Sequence, residues 1–337
     1  MLVNRENLKE ALEIVRPGLA RKEIITQTTS FAFVDGHVVT YNNEISIRHP
    51  VTGINIRGAV AAEQLYKLLD KLTKEEVDIE LINNEVLIKC GRVKAGLAIQ
   101  EEILLPLKEF EEEKHWYVLT GDFIKGLDFV VRVCSKESSR PLLNCVHVNE
   151  AGFVEASDGY RIARFTVPSH TFPHTFLIPA QTVMEIITLA PQEVAWGQGW
   201  VHFRANQQTI LSCRVFEGVY PNTDLYLLAE GLAVTFPQTI MEVLERAVVF
   251  AKRDSFLSES VTVSLAKNRL KMKSEAEAGT GWFEEELNMK YDGKEVQFTI
   301  TPHLLKDILT TTKDCIIAKG KLKFREETWE YITLLRG

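Results

Sequence analysis

Five cysteines, at Cys90, Cys134, Cys145, Cys213 and Cys315, are an odd and scattered set with no Cys-x-x-Cys pair. That usage excludes a disulfide framework and points to reduced thiols in a cytoplasmic protein. It also leaves no ligand set with structural-metal spacing. Cys145-Val146-His147 is a short strand-like run with no second ligand pair, and packing explains it better than a metal. Long apolar runs are missing as well. Charge breaks each one well short of the roughly 18 to 20 residues a spanning helix needs, and Met1-Leu-Val-Asn-Arg5 lacks the apolar core of a signal peptide. No Gly-x-Ser-x-Gly elbow, Walker loop, Gly-x-Gly-x-x-Gly or His-Glu-x-x-His occurs, so the expectation is a protein without catalytic residues, cofactor or metal. An excess of positive charge is absent too: 39 Lys and Arg stand against 46 Asp and Glu, a net −7. Any affinity for nucleic acid must then come from local distribution.

What is present is repetition. The 337 residues exceed one hydrophobic core. Asn4–Arg16 has a helical period, with Leu8, Ala11, Leu12, Ile14 and Val15 on one face, and Pro17-Gly18 ends it. Strand-like runs follow at Glu23–Val34 and His37–Arg48, joined by Asp35-Gly36, a hairpin signal. A second helix is expected at Ala61–Leu72, then strands Val77–Ile82 and Val86–Cys90 around Asn83-Asn84. The acidic stretch Lys108–Lys114 reads as a linker. The pattern then recurs, with helices at Asp122–Cys134 and Ala180–Ala190, and again at Pro237–Ala251 and Pro302–Thr311. Leu8, Ile124 and Ile240 recur at an interval of 116 residues. Val60, Ile178 and Ile300 each precede an apolar pair, Leu68-Leu69, Ile186-Ile187 and Ile308-Leu309, by eight. Units of about 110 residues are repeated domains rather than solenoid turns. The expected architecture is α+β, with three repeated domains at 1–115, 116–229 and 230–337, each with two helices on antiparallel sheets.

Several helices carry Lys or Arg on one outward arc: Arg5/Lys9/Arg16, Lys67/Lys71/Lys74, Lys125/Arg132 and Lys306/Lys313. One such arc is ordinary solvated surface; their recurrence favours a surface that meets phosphates regardless of base sequence. Two helices depart from this. Ala180–Ala190 has no basic residue, and Glu242 and Glu245 accompany Arg246 and Arg253 in the third unit.

Three motifs in order carry a family resemblance. They are Arg140-Pro-Leu-Leu-Asn144, Ser157-Asp-Gly-Tyr-Arg-Ile-Ala163 and Phe216-Glu-Gly-Val-Tyr-Pro221. Over essentially its whole length the chain resembles the bacterial-type DNA polymerase sliding clamp, the polymerase III beta subunit, in a cellular or virus-encoded version. The resemblance implies a processivity factor without catalysis of its own. It would be a ring of six domains from a head-to-tail homodimer that encircles double-stranded DNA, with the replicative DNA polymerase and a clamp loader as further partners. By the same resemblance Lys9, Arg16, Lys71, Lys125, Arg132, Lys136 and Lys306 face the DNA, with Arg21, Lys22 and Arg140 reaching it from loops. A docking pocket for partner peptides is implied at Leu143, Ser157, Gly159, Tyr160, Arg161, Ile162, Pro221, Tyr226, Leu227, Ile332, Leu334, Leu335 and Arg336. The subunit contact falls on Phe110, Val249 and Phe250. The ending Tyr331-Ile-Thr-Leu-Leu-Arg-Gly337 is a residue shorter than the family's usual tail and lacks its proline. The rival readings are an enzyme using Asp158 beside Arg161, against which an Asp before Gly usually bonds its own backbone, and a repeat-built structural or interaction protein.

Overall fold

The computed structural model describes residues 1–107, 115–168, 172–206 and 208–336. Lys108–Lys114, Phe110 among them, lie outside the described residues, as does Gly337. The described helices are α1 (Arg5–Val15), α2 (Ala62–Lys71), α3 (Gly121–Val131), α4 (Ala180–Leu189), α5 (Asp224–Leu227), α6 (Ile240–Ala251) and α7 (Pro302–Leu309). Strands form sheets of twelve, eight and four, and every register determined is antiparallel, which is the α+β class expected.

The chain gathers into two compact units, each holding part of the middle repeat. One comprises Met1–Ile124 with Ile178–Glu217, the other Lys125–Leu177 with Gly218–Gly337. The middle stretch is divided because its strands extend its neighbours' sheets. In the first unit Thr209–Arg214 pairs with Ile45–Pro50. In the second, Arg161–Thr166 pairs with Trp329–Leu334.

In the first unit, Asn4 caps α1 by accepting from the Asn7 N–H at 3.0 Å. The helix buries Leu8, Ala11, Leu12 and Val15. Asp35-Gly36 and Asn83-Asn84 take positive φ at hairpin corners. The run expected as a strand from Glu23 begins only at Ser30. Residues 20–28 instead form a loop fixed from inside by Gln27. Its Nε2 donates to Gln100 Oε1 at 2.9 Å and to the Glu102 carbonyl at 2.7 Å, while its Oε1 accepts from the Leu104 N–H at 2.8 Å. Those bonds satisfy a buried amide that no strand ladder serves.

In the second unit α6 buries Ile240, Val243, Leu244, Ala247 and Ala251 against a four-stranded sheet whose outermost strand is Trp282–Asn288. The eight-stranded sheet places Cys145–Asn149, Phe153–Ser157, Arg161–Thr166, Trp329–Leu334 and Lys321–Arg325 side by side, and it builds the site.

All five cysteines are buried. Burial pushes Cys134 and Cys315 far above the ordinary thiol range. No helix among the described residues is long and apolar enough to cross a membrane. No cluster of metal-ligating side chains occurs among them either.

Candidate functional site

The Ser-Asp-Gly turn joins two strands whose register sets Ser157 opposite Ile162. Asp158 Oδ1 accepts from the N–H groups of Tyr160 and Arg161 at 2.9 and 3.0 Å. Ser157 Oγ donates to the Arg161 carbonyl at 2.9 Å and accepts from the Gly159 N–H at 3.1 Å. Gly159 sits at φ +88°, a conformation a side chain resists, and a Cβ there would meet Arg140 Nη1 at 2.6 Å. Arg140 itself donates to the Asp158 carbonyl at 3.2 Å and pairs with Glu137 at 3.2 Å. Both polar side chains of the turn are thus spent on holding its shape.

Arg161 extends this turn inward. Its Nε donates to Asp158 Oδ2 at 2.8 Å, Nη1 to Asp307 of α7, and Nη2 to the Arg132 carbonyl at 3.2 Å. Burial opposes its charge, yet Tyr331, Asp158 and Asp307 around it hold the guanidinium protonated beyond its ordinary range. Burial pushes the Tyr331 hydroxyl up, and neighbouring Arg161 works against that shift.

Beside the turn, Ile162, Leu227 and Ile332 form one buried apolar cluster with Ala229 packed against it. Pro221, Leu225, Tyr226, Leu228 and Leu334 are exposed, and Leu143 and Tyr160 half-buried. The Leu334 N–H donates to the Tyr160 carbonyl at 2.9 Å, which closes the tail against the turn. Beyond Leu334 the tail turns elsewhere. The Leu335 N–H donates to Gly320 and the Arg336 N–H to Thr299. The Arg336 guanidinium bonds Thr301 Oγ1 at 3.2 Å and the Leu257 and Ser258 carbonyls. Of the residues expected at a docking pocket, Ile162, Leu227 and Ile332 meet in the apolar cluster and Leu334 bonds back to Tyr160, whereas Leu335 and Arg336 turn to Gly320 and Thr299. Ala229, not expected there, packs against the same cluster, and the run Leu225-Tyr-Leu-Leu228 between acidic residues leaves Leu225 and Leu228 exposed.

Several helix cations have partners; Lys9 and Lys306 are half-buried, and Arg16, Lys71 and Arg132 exposed. Lys9 lies 2.9 Å from Asp70 and Lys71 3.2 Å from the same carboxylate. Its hydrogen bond to Asp70 holds Lys9 above the usual lysine range, and Asp70 is correspondingly lowered. Arg16 stacks over the Tyr66 ring at 4.8 Å. Arg132 pairs with Asp128 at 2.7 Å and Lys306 with Glu245 at 2.8 Å. Arg21, Lys22, Lys125 and Lys136 are exposed.

No protein-family model and no curated protein matches the sequence. Solved structures do match, over the whole chain. The DnaN sliding clamp of Pseudomonas aeruginosa bound to griselimycin superposes with TM-score 0.86 at 17% identity, covering 100% of this chain and 99% of that one. The Bacillus subtilis DNA polymerase sliding clamp gives 0.83 at 18%, covering 100% and 98%. The polymerase beta subunit of Streptococcus pyogenes gives 0.84 at 17%, covering 99% of each. This chain has the sliding-clamp fold.

Within the clamp fold the two positions expected at a subunit contact differ in kind. Val249 is 71% exposed on α6. Phe250 is half-buried, stacked on Phe283 at 6.1 Å and lying 3.3 Å from where a Gly281 side chain would start. Trp282, beside it on the outermost strand, is also exposed. Isolated surface hydrophobes are common, but Trp282 lies on a strand edge that has one paired side.

Proposed function

We propose that the protein is a DNA sliding clamp, a processivity factor that closes as a head-to-tail homodimer around duplex DNA and tethers the replicative polymerase after a clamp loader has placed it. The observation that carries this is the clamp fold over 99–100% of the chain at TM-scores of 0.83 to 0.86. A ring holds DNA topologically, so it needs modest phosphate attraction and no base reading. The paired cations suit that demand. Exposed pairs are weak and salt-screened, so phosphates can replace the carboxylates at Lys9, Lys71, Arg132 and Lys306, with Arg16, Arg21, Lys22, Lys125 and Lys136 adding to the field. Arg140, held over the Ser-Asp-Gly turn, serves the docking shelf in this reading rather than DNA.

Head-to-tail closure needs two different complementary edges. Val93–Gln100 pairs on its second side only at Ile99 and Gln100 among the described residues, and it carries Lys94. Trp282–Asn288 is an outermost strand carrying Glu284 and Glu286. Both carboxylates already pair within their own sheet, Glu284 with Lys271 and Lys273 and Glu286 with Arg269 and Lys271, so Lys94 would meet them in competition with those cations. The apolar shelf around Ile162, Leu227 and Ile332 would take short amphipathic segments of the partners.

Retention on DNA tests the ring. After prolonged incubation with nicked circular duplex, the protein should co-elute with the circle and be released when one cut linearises it; equal retention on linear DNA would sink the proposal. Griselimycin is the probe for the shelf, and Leu227→Asp should abolish its binding while leaving retention on circles intact.

A further inference from the structure

One side of the eight-stranded sheet carries a row of charge where apolar side chains would ordinarily lie. Its registers set His147 opposite Glu155, Glu155 opposite Arg164, and Arg164 opposite Glu330. Glu155 is 2% exposed and both its carboxylate oxygens are engaged. Oε1 lies 2.7 Å from His147 Nδ1; Oε2 accepts from Arg164 Nε at 3.0 Å and from Thr223 Oγ1 at 2.5 Å. Arg164 also lies over the Phe153 ring at 4.1 Å. Lys323, nearly buried, pairs with Glu330.

Across this row runs the strap Gly218–Leu228, and nearly every polar contact it makes leads to the row. Tyr220 stacks on His147 with centroids 4.8 Å apart. Arg164 Nη2 donates to Thr223 Oγ1 and to Asp224 Oδ1, both at 2.7 Å. At the other end of α5, Lys323 Nζ donates to the Leu227 carbonyl at 2.8 Å. Lys321 Nζ donates to the Tyr226 carbonyl at 2.8 Å and to that of Leu228. A helix of one turn does not hold itself, and its last carbonyls lack partners of their own. Its apolar hold is slight: Leu227 joins the buried cluster, while Leu225 at 78% and Tyr226 at 62% stay exposed.

We propose that Glu155 and Arg164, with Lys321 and Lys323, are positioning residues that fix the strap over the sheet and so set where Tyr226 and Leu227 stand for a docking partner. This rests on the docking reading of the shelf, to which it adds the groups that determine its geometry. Because the row is buried, removing one charge leaves its partners uncompensated, so the strap is the element that gives way.

Hydrogen exchange on the intact protein tests the positioning without a ligand. In Glu155→Gln and Arg164→Met, the amides of Tyr226 and Leu227, bonded to the Thr223 carbonyl, should exchange at least tenfold faster. Those of Val154 and Ala163 in the strands beneath should keep their rates, and Arg164→Lys should restore part of the protection. Griselimycin affinity should fall about tenfold in the first two variants, whereas Leu227→Ala should weaken binding with exchange at Tyr226 unchanged. Unaltered strap exchange in both variants would overturn the proposal, as would acceleration spread evenly through the sheet. A parent that fails to bind griselimycin while the exchange pattern appears as expected removes the docking reading and leaves the positioning role standing.

Discussion

Arg161 and Asp307 stand 146 residues apart in the chain, and their ion pair ties the Ser-Asp-Gly turn to α7. The guanidinium is 6% exposed and Asp307 33%. Removing the cation strands Asp158 and Asp307 together and orphans the Arg132 carbonyl. Arg161→Met should therefore cost about 3 kcal/mol, the lower end for breaking a buried pair. Asp307→Asn keeps a polar group at a hydrated edge and should cost about 1 kcal/mol. Urea midpoints of the two variants check the order. Equal losses would mean that Asp307, rather than the Asp158 turn, is the partner that matters.

Helix α3 approaches its sheet through Gly126, where a Cβ would lie 2.9 Å from both Phe165 and Val154. Alanine is the better helix former by roughly 1 kcal/mol, so propensity alone favours Gly126→Ala. Overpacking two side chains that are themselves confined should outweigh it, for a net loss of about 1–2 kcal/mol. Gly121 opens the same helix with nothing within 4 Å of its would-be Cβ, so Gly121→Ala should be neutral or slightly stabilising. Thermal unfolding of the pair separates the two effects.

The same helix marks how far the sequence could be read. Periodicity located all six long helices, because each buries one stripe on a sheet, and the Pro179 and Pro302 starts were legible from proline's fixed φ. The interval of 116 fails in detail, however. Phe123 is fully buried and Ile124 only partly, so the position matching Leu8 and Ile240 is Phe123. Leu8, Leu12 and Val15 repeat as Phe123, Leu127 and Val130 and as Ile240, Leu244 and Ala247. Burial decides the register, and spacing in a gapped repeat does not. The two compact units were not legible because strand pairing across repeat borders is non-local. Nor was the charged row beneath the strap, since His147, Glu155 and Arg164 each look like a surface residue until three strands align them. Lys9 and Lys306 were legible as residues but not as pairs, because Asp70 and Glu245 reach them from neighbouring helices.

His49 supplies a pH dependence of stability in the first unit. Its Nδ1 lies 2.7 Å from Thr209 Oγ1, at the pairing of Ile45–Pro50 with Thr209–Arg214. Burial, reinforced by nearby His37, lowers its pKa below the ordinary value of 6.5. The unfolded chain therefore binds the proton first, and stability falls as pH drops from the unfolded value through the lowered folded one. His49→Gln cannot titrate. The difference in Tm between parent and variant should narrow between pH 7.5 and 5 as the parent loses its advantage; a difference that widens toward acid would reverse the sign assigned here.

Self-association is best tested at Val249, because its side chain can be changed without touching the core. Phe250→Arg would break the stack on Phe283 and crowd Gly281, so a loss of dimer there would mix folding with assembly. Val249→Arg and Trp282→Ala alter exposed apolar groups, one on α6 and one on the Trp282–Asn288 edge, and each should leave Tm within about a degree or two, as surface changes usually do. If that edge meets the Lys94 edge of a second copy, each variant should weaken the dimer at least tenfold, since exposed aromatic and aliphatic anchors at a desolvated contact commonly carry 1.4 kcal/mol or more. Sedimentation velocity over a concentration series reads the shift directly. The parent should also dissociate more readily at high salt if Lys94 meets Glu284 or Glu286, because rim charges are screened. A Val249→Arg protein that sediments as the parent does at every concentration and salt would place the subunit contact on another surface.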